Sequence, residues 1–312
     1  MIFLKKNPNS IYVNLSCGIG DFVLATPHFK LLKEKFPEAT IYLGTSGVMT
    51  KELAKEDPFI DQIIYPEFYY PPSKNLRKQI FNQWFFLKNK IKYDQTFFEK
   101  YQSENFIFNY KEKHRIDLFS DMFGVKPKKR RPAIYLNEND KRQADAVIKN
   151  MNLEDELLIV VGPEIAGDPE RWKERHKKRV WPAKNFDDLT QKIQENYSVK
   201  IISLHAPNQK NTFKYMTQYK GFPIRASAHL ISKADLYIGM DSGLTHIASC
   251  FETKIVSIHC GISKTFTGVL SPNAKIIYKG VDVSPLKISV EEVYQAVKEQ
   301  IESIQNSCES YK

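Results

Sequence analysis

Two short stretches carry residues whose types and spacing could do chemistry. The first, CGIGDFVLATPHFKLLKEKFP (17–37), sets Gly18, Gly20 and Asp21 between a short apolar strand and an amphipathic helix. A carboxylate there can accept a proton from a hydroxyl within hydrogen-bond reach. It can equally cap the helix or complement its dipole. The two glycines suggest a dinucleotide turn, but its third glycine would fall at Val23, and no acid ends the next strand, IYLGTSG. Both absences weaken a nicotinamide-cofactor reading. The second stretch, GMDSGLTHIASCFETKIVSI (239–258), reads as strand, turn, helix and strand. Ser242, Gly243 and Leu244 can present backbone N–H groups to a phosphate at the helix start, with Asp241 and His246 flanking them. Taken alone, the first loop is most simply a capped helix. With the second beside it, the pair suggests a cleft with an anion on one wall and a carboxylate on the other.

The elements that must hold these loops are α/β. Residues 11–15 (IYVNL), 41–43 and 63–65 read as short strands, with a helix from about Leu24 to Phe36 ended by Pro37. The second half repeats the theme: LLIVVG (157–162), VKIISLHA (199–206), DLYIGM (235–240) and KIVSIHC (254–260) are strand candidates. NFDDLTQKIQENY (185–197) is the clearest helix between them. Alternating strands and helices predict two doubly wound, Rossmann-like domains facing a central cleft. We place the first at 1–150 and the second at 151–312. The amphipathic C-terminal stretch 289–304 could pack back on the first domain.

Length and composition agree with a two-domain globular protein: 312 residues, 42% hydrophobic and 26% charged. No apolar run approaches a membrane span, and the N-terminus does not read as a signal peptide. The scattered Cys17, Cys250, Cys260 and Cys308 lack metal-ligand or redox spacing, as expected of reduced thiols. The net charge of +10 favours a polyanionic partner. Much of it lies in residues 66–135, with fifteen Lys/Arg against seven Asp/Glu and the aromatic pairs Tyr69/Tyr70, Phe85/Phe86 and Phe97/Phe98. That stretch reads either as a helical insert with core aromatics and solvated lysines, or as a surface for an anionic membrane or acceptor.

Four segments make the chain resemble glycosyltransferase family 9, the bacterial heptosyltransferases of lipopolysaccharide synthesis. They are GIGDFVLATPHFKLLKEKFPEATI, HRIDLFSDMFGV (114–125), KRVWPAKNF (178–186) and DSGLTHIASCFETKIVSI (241–258). The resemblance implies a GT-B fold and inverting sugar transfer from a nucleotide diphosphate sugar, with no metal and no cofactor. It implies that Asp21 is the general base and that Arg179 contacts the donor phosphates. Asp241, Ser242, Gly243, Leu244 and His246 would then hold the diphosphate and sugar. Gly18 and Gly20 belong to the acceptor-side loop. ADP-heptose is the default donor and a glycan or glycolipid the acceptor. Two departures leave the donor's identity open. SLHAPNQKN (203–211) has Asn208 and Gln209 where the family often has a ribose-binding acid, and ERWKERHKKRVWP (170–182) is unusually basic.

Chemistry is consistent with these roles. The acceptor hydroxyl needs a proton acceptor, and the departing diphosphate needs cations and amides. Other readings stand beside them. Asp241 could brace its loop, His246 could be structural, and Trp181 is read as packing rather than base stacking. His28 could face the acceptor or be a buried polar residue. Of the Arg171–Arg179 cluster, only Arg179 is assigned to phosphate. A nucleotide-sugar epimerase and a non-catalytic glycan or nucleic-acid module are the alternative functions, although no nucleic-acid motif is evident. The expected location is cytoplasmic, or peripheral on the inner face of the cytoplasmic membrane.

Overall fold

The computed structural model describes residues 5–15, 17–68, 74–99, 110–165, 177–209 and 211–309. Tyr69, Tyr70 and Arg171 lie outside them. The described residues form two compact units: one runs to Glu99 and adds Lys113–Tyr135, and the other starts at Leu136 and includes Tyr110–Glu112.

In the first unit, β1 (Ser10–Asn14), β2 (Thr40–Gly44), β3 (Gln62–Ile64) and β4 (Gln95–Phe98) form a four-stranded sheet in the order β3-β2-β1-β4. All its pairings are parallel. The crossovers are α1 (Ile19–Lys35), α2 (Val48–Ala54) and α3 (Leu76–Lys92), and α4 (Arg115–Phe123) follows β4. The order reverses between β1 and β4, which is where open parallel sheets place ligands, beyond the strands' carboxyl ends. Helix α1 starts at Ile19, ahead of the predicted Leu24, and carries Pro27 inside it. The described residues of 66–135 are part of the first unit's own fold rather than an insert. β4 pairs with the central β1, and Phe85, Phe97 and Phe123 are core residues.

In the second unit, six parallel strands take the order β10-β9-β8-β5-β6-β7. They are β5 (Leu157–Gly162), β6 (Val199–His205), β7 (Thr217–Lys220), β8 (Leu236–Met240), β9 (Lys254–His259) and β10 (Ala274–Tyr278). The order reverses between β5 and β8. The helices that serve this sheet include α5 (Glu138–Asn150), α6 (Ala183–Asn196), α7 (Ile224–Lys233), α8 (Gly243–Ala248), α9 (Lys264–Thr267) and α10 (Val290–Glu309). A strand covered on both faces has no reason to alternate, and β5, LLIVVG, is apolar throughout.

One domain expectation needs revision. The sequence boundary at 150 assigns helix α5 to the first domain, but α5 packs on α7 in the second unit. Arg225 Nε donates to Asp140 Oδ2 at 2.8 Å and His229 Nε2 lies 3.1 Å from Asp145 Oδ1, so the division falls at Tyr135/Leu136 rather than 150/151. Helix α10 spends its apolar face within the second unit: Val293, Val297 and Ile301 join that unit's core, against α6, β9 and β10.

Candidate functional site

In the first unit, Asp21 is the third residue of α1, whose N-cap is Gly18. No side chain caps this helix, so Asp21 is not spent on capping. Its Oδ1 accepts a hydrogen bond of 2.8 Å from Arg115 Nε. Arg115 Nη2 donates to Glu99 Oε1. Arg115 opens α4, whose N-cap His114 accepts from the Ile116 amide through Nδ1 at 3.2 Å. Glu99 is the first residue after β4, and its amide donates to Asn14 O at 3.1 Å. The trio therefore sits at the carboxyl ends of β1 and β4, where the strand order reverses.

Burial distinguishes the partners. The Arg115 side chain is 7% exposed and that of Asp21 34% exposed. Oxygen and sulfur atoms of Cys17, Asp21 and Glu99 lie within 4.8 Å of one another. Such a set could hold a cation, and the positive charge among them here is the Arg115 guanidinium. Two carboxylates share that one charge. Burial, together with the Asp21 charge, outweighs Arg115 and pushes Glu99 from the ordinary 4.5 up to about 7. Burial and the same two acids raise the Cys17 thiol, which keeps it protonated and unreactive.

Gly18 and Gly20 stand at the start of α1. A Cβ on Gly18 would meet nothing within 4 Å, so packing does not demand glycine there. Glycine in open space suits close approach of a ligand to the backbone.

In the second unit, Asp241 follows β8 directly, and its side chain is 6% exposed, as is that of Arg179. Arg179 Nη2 donates to Asp241 Oδ2 at 2.9 Å and to its carbonyl at 2.6 Å. Thr267 Oγ1 donates to the same Oδ2 at 3.0 Å. His246 Nε2 and His259 Nδ1 approach Oδ1 at 3.7 and 3.9 Å. Burial alone would raise the Asp241 pKa. The charges of His259 and Arg179, with His246 after them, outweigh it and hold the carboxyl well below its usual range. Burial also lowers the His259 pKa, so Arg179 is the standing countercharge at neutral pH. Gly261, at φ +70, brings the turn after β9 onto this pair: a Cβ there would lie 2.5 Å from Lys178 O.

The Asp241 carboxylate is thus turned inward, bonded to Arg179 and Thr267. Ser242, Gly243 and Leu244 are partly exposed, while Thr245 and His246 are buried. Thr245 Oγ1 donates to the Met240 carbonyl and lies 3.3 Å from the buried Tyr237 hydroxyl. Tyr237 in turn needs glycine at 239, where a Cβ would lie 2.4 Å from its oxygen.

Other predicted residues settle into packing roles. Trp181 is fully buried and donates to Ile288 O at 2.8 Å. His28 stacks on Phe123 and bonds Ser120 Oγ at 2.9 Å, and burial lowers its pKa to about 4. Asn208 is exposed in a turn after β6. Sequence reasoning marks neither Glu99 nor Arg115, nor His259 and Thr267. Arg115 lies 94 residues from Asp21 and is one cation among many in its stretch.

The family model for glycosyltransferase family 9 (heptosyltransferase) matches residues 111–292. The chain belongs to this family. Its membership decides against the epimerase and binding-module alternatives and makes the protein a glycosyltransferase. Among solved structures, a family 9 glycosyl transferase from Veillonella parvula shares 17% identity and a TM-score of 0.69, covering 97% of this chain and 99% of that one. The E. coli ADP-heptose lps heptosyltransferase II shares 15% identity and a TM-score of 0.66, covering 96% and 99%. These likenesses show that the family 9 protein has the GT-B fold of the heptosyltransferases, with two Rossmann-like units. No curated protein matches the chain by sequence.

Proposed function

We propose that this glycosyltransferase moves heptose from ADP-heptose to a lipopolysaccharide-core acceptor, inverting the anomeric carbon, with Asp21 as general base. The observation that carries the reading is the Asp21 carboxylate: it is uncommitted to capping, partly exposed, and oriented by a buried arginine. The acceptor oxygen bonds to the anomeric carbon while its proton passes to Asp21. The bond from that carbon to the diphosphate breaks, and its electron pair leaves with ADP. The leaving group gains charge, so the partly exposed backbone amides of the 242–244 turn are the groups assigned to it, while Arg179, buried and spent on Asp241, holds that turn in place instead of contacting the phosphates. In this reading Asp241 fixes Arg179 and the turn, and His246 supports Asp241. The name of the E. coli heptosyltransferase II favours ADP-heptose as donor. The reading places the enzyme on the cytoplasmic side, where nucleotide sugars are available.

The test is incubation with ADP-heptose and a deacylated core oligosaccharide, read by mass spectrometry and by NMR of the anomeric proton. One heptose added with inverted configuration is expected. Retained configuration, or donor consumed with the acceptor unchanged, contradicts the proposal.

A further inference from the structure

Helix α3 carries an apolar stripe that the described residues of its own unit leave exposed. Leu76, Ile80, Trp84, Leu87 and Ile91 are each more than half exposed. Spacings of four, four, three and four put them on one face. Phe85 and Asn89 are buried on the other side, and Phe85 packs against Phe98 of β4. Scattered exposed apolar residues are ordinary, but a continuous row of five along about 22 Å of helix is not.

The charges bordering the row point to its occupant. The helix has Arg77, Lys78, Lys88, Lys90 and Lys92 and no acidic residue. At about 100° per residue, Arg77 and Lys88 border one edge of the stripe and Lys90 the other. The Lys88 ammonium lies 5.4 Å from the Trp84 ring centroid. Beside the stripe is an open depression lined by Gln83, Phe86, Leu87, Lys90 and Phe98.

We infer that α3 is a membrane-docking helix that lies in the plane of an anionic bilayer. An apolar face flanked by cations, with tryptophan at the boundary, is the chemistry of an interfacial helix. Its apolar residues enter the acyl boundary while its lysines meet anionic headgroups. A second copy of the chain fits less well, since pairing α3 with itself would oppose like charges with no acid on the helix to offset them. Nucleic acid would leave the apolar row without a partner. No helix among the described residues is long and apolar enough to cross a membrane, so attachment through α3 is peripheral.

The test is co-sedimentation of the full chain with phosphatidylcholine vesicles, with and without about 30% phosphatidylglycerol. Binding to the anionic vesicles that weakens in high salt is expected. Trp84→Ser with Ile91→Ser should lose roughly tenfold or more in affinity, and Arg77→Gln with Lys88→Gln and Lys90→Gln on the order of 100-fold. These positions are exposed, so folding should survive, and turnover on the deacylated acceptor should not change. Absence of binding at low salt overturns the inference. So does unchanged binding in the Trp84/Ile91 variant, or a dimer in sedimentation velocity that this variant abolishes without vesicle binding. Because the readout is binding, its failure is distinguishable from failure of the transfer reaction.

Discussion

Glu99 and Asp241 hold the same place in their respective units. Each is the first residue past the strand that flanks the reversal of strand order, β4 in one and β8 in the other. The strands are even braced alike at their other ends: Asp94 Oδ2 accepts from the Asn9 amide at 2.9 Å, and Asp235 Oδ2 from the Leu158 amide at 2.8 Å. Each acid meets a buried arginine. The difference is in the count of charges. Asp241 has Arg179 to itself, with two histidines beside it, and stays ionised as a fixed strut. Glu99 must share Arg115 with Asp21, and the more buried of the two acids takes up a proton. One fold position therefore yields a rigid brace in one unit and a titratable neighbour to an exposed carboxylate in the other.

The largest effect expected from breaking this contrast is on stability. Asp241→Ala leaves the Arg179 guanidinium buried without its carboxylate and should cost about 3–5 kcal/mol, read by urea unfolding. A loss near zero would mean that Asp241 is not a strut. Gly239→Ala, which crowds the buried Tyr237 beneath the same loop, should cost about 1–3 kcal/mol and weaken ADP binding. Equal ADP affinity would separate the loop from the donor.

Glu99 gives a smaller, pH-dependent effect. The folded protein keeps the Glu99 proton up to about 7, while an unfolded chain releases it near 4.5. Between those values the native state binds more protons, so stability from this group is greatest below 4.5 and declines as pH rises toward 7. Glu99→Gln should flatten that decline in unfolding measured at about pH 5 and about pH 8. An unchanged slope would show that Glu99 is ionised throughout.

Most strands legible in the sequence are buried ones; the Ile63–Ile64 pair also marks β3, which is not buried. LLIVVG and VKIISLH are largely apolar runs, as strands covered on both faces must be. The short QTFF, TQYK and AKIIY carry polar residues and no such run, so nothing in their pattern marks them. The loops at 18–21 and 241–246 are legible because glycine and aspartate cluster there. Their arginine partners differ: Arg179 is visible beside the Trp-Pro pair that follows it, whereas Arg115 gains its meaning only when α4 brings it to Asp21. Pairing across 94 residues is set by the strand order, and local spacing carries no trace of it.

Whether the two arginine–aspartate pairs do different work is tested most directly by the turnover of Asp21→Asn. Glu99 remains to pair with Arg115 in that variant, so the unfolding midpoint and ADP affinity should stay near those of the unmodified protein. The amide cannot take the acceptor proton, and turnover with donor and acceptor saturating should fall on the order of 10²–10⁴-fold. Near-normal turnover in the folded variant would contradict a catalytic Asp21 and leave both pairs as struts.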